Sequence, residues 1–148
     1  MAGKKKGVCN VHAGGTGDAR ILISGAVEVV HPVVGVIATN LSEIDRISIV
    51  RISPGLLQAS SESTGTAVQR PVTTPGHPTA IGVSLILDLD VREVQFYEIT
   101  SAVRGYRGRM VDAVLRDLPE GWTGVVLMDW SSGFWERMAA RHANLMLM

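Results

Sequence analysis

Apolar and polar positions come in short blocks along this chain rather than in one sustained period, and the blocks predict strands more often than helices. Residues 21–39 (ILISGAVEVVHPVVGVIAT) are dense in β-branched side chains and interrupted by Gly25, Pro32 and Gly35, so two or three short strands are expected there. Pro32 has no N–H to give to a ladder and belongs at an edge or a bend, with His31 before it as a strand-end or turn residue. A short helical turn over residues 41–46 follows, capped from Asn40, Ser42 or Asp45. Residues 47–52 (ISIVRI) then read as a strand, and residues 56–58 as another short helical piece after Pro54 and Gly55.

The character changes at residues 60–78, rich in Ser, Thr, Gly and Pro, which predict a long loop. Loops beyond ~12–15 residues inside a compact domain tend to be functional lids or insertions. His77, between Gly76 and Pro78, is most simply a turn residue. Residues 80–89 (AIGVSLILDL) and 94–102 (VQFYEITSA) form a plausible antiparallel hairpin. By the two-residue period of a strand, Phe96, Glu98 and Thr100 share one face, and Tyr97, Ile99 and Ser101 the other.

A basic, glycine-punctuated turn (VRGYRGR, 103–109) leads into a helix over residues 110–118, whose stripe is Met110, Val111, Val114, Leu115 and Leu118. Pro119, Glu120 and Gly121 end it, and residues 122–128 (WTGVVLM) suit a strand buried on both faces inside the sheet. Ser131 or Ser132 then caps a second helix with Phe134, Trp135, Met138, Ala139 and His142 on one stripe. The last six residues (ANLMLM) are enough for one strand. The whole predicts an α/β (α+β) domain with a mixed, mostly antiparallel central sheet flanked by helices.

Charge narrows the function classes. Fourteen Lys and Arg balance fourteen Asp and Glu, which argues against coating nucleic acid or a membrane surface through overall charge. No run reaches the ~18 apolar residues of a membrane span. The single cysteine, Cys9, excludes an internal disulfide and fits a reducing compartment, with the cytoplasm as default. No His, Cys and carboxylate set has metal-ligand spacing, so no metal is expected. Residues 1–18, with three consecutive lysines and five glycines, read as a flexible basic arm ahead of a single domain at 19–148. The GGTGDAR run within it lacks both the dinucleotide fingerprint and the Walker lysine spacing.

Two features carry chemistry. Arg104, Arg107 and Arg109 surround Gly105 and Gly108 just before a helix, where backbone N–H groups and guanidinium forks can converge on a phosphate. Glu98 lies mid-strand, either paired with a cross-strand arginine or in solvent, or else partly buried as a general base.

Together these residues carry a resemblance. The strand with Glu98, the turn Arg107, Gly108 and Arg109, the helix from Met110, the following strand and the FWERM run at 134–138 resemble the C-terminal half of GNAT-type N-acetyltransferases, over about the last 60 residues. The resemblance implies acetyl-coenzyme A as co-substrate, held at its pyrophosphate by Arg107, Gly108, Arg109 and Met110 with Arg104 beside them. It implies Trp135 next to the pantetheine arm, backbone at Ile99 and Ser101 near the thioester carbonyl, and Glu98 deprotonating an amine acceptor of unknown identity. It leaves room for a homodimer. The residues also leave open a non-catalytic binding or assembly module, phage-encoded or nucleic-acid-associated, on a similar or β-rich scaffold. In that reading the lysines at 4–6 and the arginine turn would meet nucleic acid, against which the neutral overall charge argues.

Overall fold

A computed structural model describes residues 8–12, 19–127 and 133–148, the first of these as backbone. The described chain is an α+β arrangement around one mixed sheet. Its strands are β1 (Val8–His12), β2 (Arg20–Ser24), β3 (Ile49–Ser53), β4 (Leu56–Ser60), β7 (Ile81–Asp88), β8 (Glu93–Ser101), β9 (Thr123–Val126) and β10 (Leu145–Leu147), with a small ribbon of β5 (Ser63–Thr64) and β6 (Arg70–Pro71). The helices are α1 (Pro32–Ser42), α2 (Tyr106–Leu115) and α3 (Phe134–Arg141). Strand order follows chain order, β1-β2-β3-β4-β7-β8-β9-β10. Pairing is antiparallel except at β2 with β3, β8 with β9 and β9 with β10, the three places where a helix intervenes.

The expected strands within residues 21–39 are one strand, β2, and then helix α1. Pro32 opens that helix at its first position, where a missing N–H costs nothing and the fixed φ is already helical. His31 is the N-cap, its Nδ1 accepting from Val33 N at 3.1 Å. Val33, Ile37 and Leu41 are buried one turn apart, and that burial outweighs the ~0.5 kcal/mol by which each β-branched residue disfavours a helix. A short continuous apolar run has no period that separates helix from strand. Residues 56–58 are not helical but belong to β4, because Pro54 and Gly55, with glycine at φ +68°, form the two-residue turn of a β3–β4 hairpin. Within the stretch expected as an arm, Val8–His12 adds an edge strand antiparallel to β2.

Helices α1 and α2 lie together on one face of the sheet, over Val50, Leu57, Val83 and Leu85. Buried Asn40 ties them, its Nδ2 donating to Ala113 O at 3.1 Å and to Asp117 Oδ2 at 2.8 Å. Helix α3 packs on β10 and into the same core through Phe134, Trp135 and Met138. Its N-cap is Gly133 at φ +82°; Ser131 and Ser132, expected as the cap, lie outside the described residues. The other face of the sheet is crossed by the 61–79 segment. There Ser60 Oγ donates to Val72 O at 2.7 Å and Val72 N donates to Glu62 O at 3.0 Å, so residues 70–73 lie over the sheet as a strap. Among the described residues no helix is long and apolar enough to cross a membrane.

Candidate functional site

Strand β8 makes the site by outlasting its neighbour. It pairs with β9 only at Glu93–Gln95, and the remaining residues 96–101 pair with β7 alone on the other side. Along that length β8 and β9 part, leaving alternate backbone N–H and C=O groups of β8 without a strand partner. A cleft of about 440 Å³ opens there. Arg107 and Trp135 line it from the helices, and Pro75, Gly76 and His77 from the loop on the opposite face, so the gap joins the two faces of the sheet.

A bulge decides which way Glu98 points. Leu85 stands opposite Phe96 but Ser84 opposite Glu98, which leaves Tyr97 as one extra residue in β8. The uninterrupted alternation expected for this strand is therefore broken. Phe96 stays on the helix side in the core, whereas Glu98 and Thr100 fall on the strap side opposite Ser84 and Gly82. Glu98 is half-buried and its Oε1 accepts from Thr73 Oγ1 at 2.8 Å. That single bond fixes the carboxylate and leaves acceptor capacity on both oxygens. Tyr97, pushed out by the bulge, is 59% exposed at the cleft.

The helix on the cleft's other wall begins earlier than expected. Helix α2 starts at Tyr106, not Met110, with Gly105 as N-cap at φ +94°, a conformation suited to glycine. Arg107, Gly108 and Arg109 are thus in the first helical turn. The first intrahelical N–H bond is Arg109 N to Gly105 O at 3.3 Å, so the N–H groups of Tyr106, Arg107 and Gly108 have no helical acceptor. No side chain caps them and no acidic residue sits in that turn. This end of α2 is electropositive and open to an anion.

The helix sends its arginines to different places. Arg107 lines the cleft with its guanidinium 4.7 Å from the Phe134 ring centroid. Arg104 is exposed in the preceding turn. Arg109 faces away, with Nη2 2.7 Å from Asp45 Oδ1 while Tyr106 Oη donates to Asp45 Oδ2 at 2.6 Å. The Tyr106 hydroxyl first, and Arg109 second, hold the Asp45 carboxyl below its ordinary range, and the same contact with Asp45 raises Arg109. Met110 is fully buried in the core and offers no ligand contact. Of the remaining expected residues, Ile99, Ser101 and Trp135 line the cleft with Glu98. Gly108 does not line the cleft; it follows Arg107 in the first turn of α2, against Met138. Trp135 is 5% exposed, its ring 5.1 Å from Phe96 and 5.0 Å from Phe134, so it is a rigid wall.

The cleft residues His77 and Tyr97, and Thr73 that holds Glu98 from outside the lining, were not among the expected site. Thr73 and His77 come from the long loop, whose length was their only signal, and Tyr97 depends on the bulge. His77 Nδ1 accepts from Thr79 N at 3.2 Å and Ala80 N at 3.0 Å, which places the neutral ring's proton on Nε2. No group of three or more His, Cys, Asp and Glu able to hold a metal occurs among the described residues. Comparison with family models, with curated proteins and with solved structures finds no match to the chain.

Proposed function

We propose that this protein is an acyl-coenzyme A-dependent N-acetyltransferase of GNAT type, moving an acetyl group from acetyl-coenzyme A to an amine. The observation that carries this reading is the parting of β8 from β9 next to a helix N-terminus with no side-chain cap and no acidic residue of its own in the first turn. The pyrophosphate of coenzyme A suits the N–H groups of Tyr106, Arg107 and Gly108, with the Arg107 guanidinium alongside. The pantetheine arm is an extended chain bearing two amides. Its complement is the unpaired backbone edge of β8, with Trp135 as an apolar wall.

The reaction needs a base on the acceptor side and a proton for the leaving thiolate. The amine nitrogen attacks the thioester carbonyl carbon, Glu98 takes the proton that the nitrogen sheds, the C–S bond breaks, and the sulfur leaves as thiolate. Glu98 faces the strap side of the gap and the helices line the other side, so amine and thioester arrive from opposite faces. Holding two reactants in register can be worth ~7–11 kcal/mol of a barrier. Indole N–H is a donor but no acid at neutral pH, so Trp135 cannot protonate the sulfur; in this reading the proton comes from Tyr97, a phenol lining the same cleft.

Thermal melting with and without acetyl-coenzyme A tests the reading. At ~100 times its dissociation constant a ligand stabilises by ~2.7 kcal/mol, which at ~2–4 °C per kcal/mol for a chain of this size is a rise of ~5–11 °C. Arg107→Ala should reduce that rise. No rise in wild-type protein at millimolar acetyl-coenzyme A would refute the proposal.

A further inference from the structure

The strap side of the sheet holds a polar row that leads away from Glu98. Arg51 in β3 stands opposite Gln58 in β4, Gln58 opposite Ser84 in β7, and Ser84 opposite Glu98 in β8. Gln58 Nε2 donates to Ser84 Oγ at 3.4 Å within that row. The strap lies over the neighbouring row, across Ser60 and Gly82, and serves both ends of the polar one. At one end Thr73 holds Glu98. At the other, β6 packs on β3 and carries exposed Arg70 near enough for its positive charge to act on Arg51.

That second end is electrostatically incomplete. Arg51 is half-buried, and its Nε is out of solvent with no hydrogen-bond acceptor among the described residues. Among the described residues, neither Arg51 nor Arg70 has a carboxylate partner, and nearby Arg20 is engaged by the neutral Gln69. Two like charges together, one with a buried donor unmade, are costly unless an anion bridges them. Paired guanidinium forks match a carboxylate or a phosphate in geometry and charge.

We infer that Arg51 and Arg70 bind the negatively charged group of the acceptor whose amine is acetylated at Glu98. The acceptor is then an anionic amine, an inference that rests on the acyl-transfer reading. Arg51 and Glu98 are three strand spacings apart, ~14 Å between backbones. The amine and the anion of the acceptor are therefore separated by several bonds, as in an ω-amino acid or an amino-alkyl phosphate. An α-amino acid is too short.

Two measurements test this, and the first needs no coenzyme A. Wild-type protein is melted in rising inorganic phosphate, and separately in rising succinate, at constant ionic strength. A saturable rise in midpoint is expected. It should vanish in Arg51→Met, while that variant melts at or above wild type without anion because the unmade donor and the like-charge contact are gone. No saturable rise in wild type, or an undiminished one in Arg51→Met, overturns the inference whatever acetyl-coenzyme A does. In the second, acetyl transfer to 6-aminohexanoate, 1,6-diaminohexane and glycine is compared. A preference of tenfold or more in kcat/KM for 6-aminohexanoate, lost in Arg51→Met and Arg70→Met, supports the inference, and equal use of the diamine overturns it. A phosphate-dependent rise with no turnover on any of the three amines removes the acceptor assignment along with the acyl-transfer reading.

Discussion

Replacing Gly82 by alanine should lift the strap and disable the site without touching it. Gly82 pairs with Ser60 on one side and Thr100 on the other, and a Cβ at this position would lie 2.5 Å from Val72 O, 3.0 Å from Ala59 O and 3.1 Å from Ser60 Oγ. The two closest atoms are backbone, one in the sheet and one in the strap, so no rotamer relieves the contact. Bringing 2.5 Å to an ordinary 3.4 Å moves Val72 by 3.4 − 2.5 = 0.9 Å. That displacement acts on the bonds from Ser60 Oγ to Val72 O (2.7 Å), Val72 N to Glu62 O (3.0 Å) and Thr73 Oγ1 to Glu98 Oε1 (2.8 Å). Each contributes ~0.5–1.5 kcal/mol, and overpacking generally costs ~1–3 kcal/mol, so a loss of ~2 kcal/mol is expected. In a chain of this size that lowers the melting midpoint by ~4–8 °C. Denaturant titration reads the stability, limited proteolysis reads the 61–79 segment, and acetyl transfer reads Glu98. A variant that melts within about 1 °C of wild type with an equally protected strap would refute this account of how residues 70–73 are held.

Glu98→Gln keeps the shape and the Thr73 contact but removes the base, so turnover should fall by ~10²–10⁴ while the thermal shift with acetyl-coenzyme A is unchanged; unaltered kcat would remove Glu98 from the mechanism. Trp135→Ala empties a buried space between Phe96 and Phe134 and should destabilise by ~3–5 kcal/mol, whereas Trp135→Phe should cost clearly less; chemical denaturation of the pair checks both. Asp45 has its carboxyl pKa depressed below 3.8 on folding, chiefly by the Tyr106 hydroxyl and then by Arg109. Its contribution to stability is therefore present above the unfolded-state value and lost as pH falls through the lower folded one. Melting from pH 6 downward should show Asp45→Asn losing less stability than wild type below ~4, and parallel curves would contradict the assignment.

The C-terminal half of the molecule is largely legible from local pattern. The β7–β8 hairpin, α2, β9 inside the sheet, α3 with its Phe134, Trp135 and Met138 stripe, and β10 all follow from apolar spacing and from glycine or proline at their ends. The electropositive start of α2 is legible too, although its boundary lies one turn earlier, because Tyr106 packs inward and bonds to Asp45, 61 residues away. Helix α1 is not legible in this way. Its run of Val and Ile favours a strand locally, and only burial against β3, β4 and α2 makes it a helix.

The site divides along the same line. Local pattern alone places a carboxylate in a strand, a glycine and arginines at the start of the next helix and an aromatic stripe after it, since each depends on residues a few positions apart. It took long-range pairing and packing to turn Glu98 to the strap and Phe96 to the core, to set Arg107 at the cleft while Arg109 turns to Asp45, and to bring β6 with Arg70 onto the strand of Arg51 at the end of Glu98's row. Strand alternation is a local rule, but one extra residue inverts it, and whether β8 takes that residue as a bulge at Tyr97 depends on its register with β7.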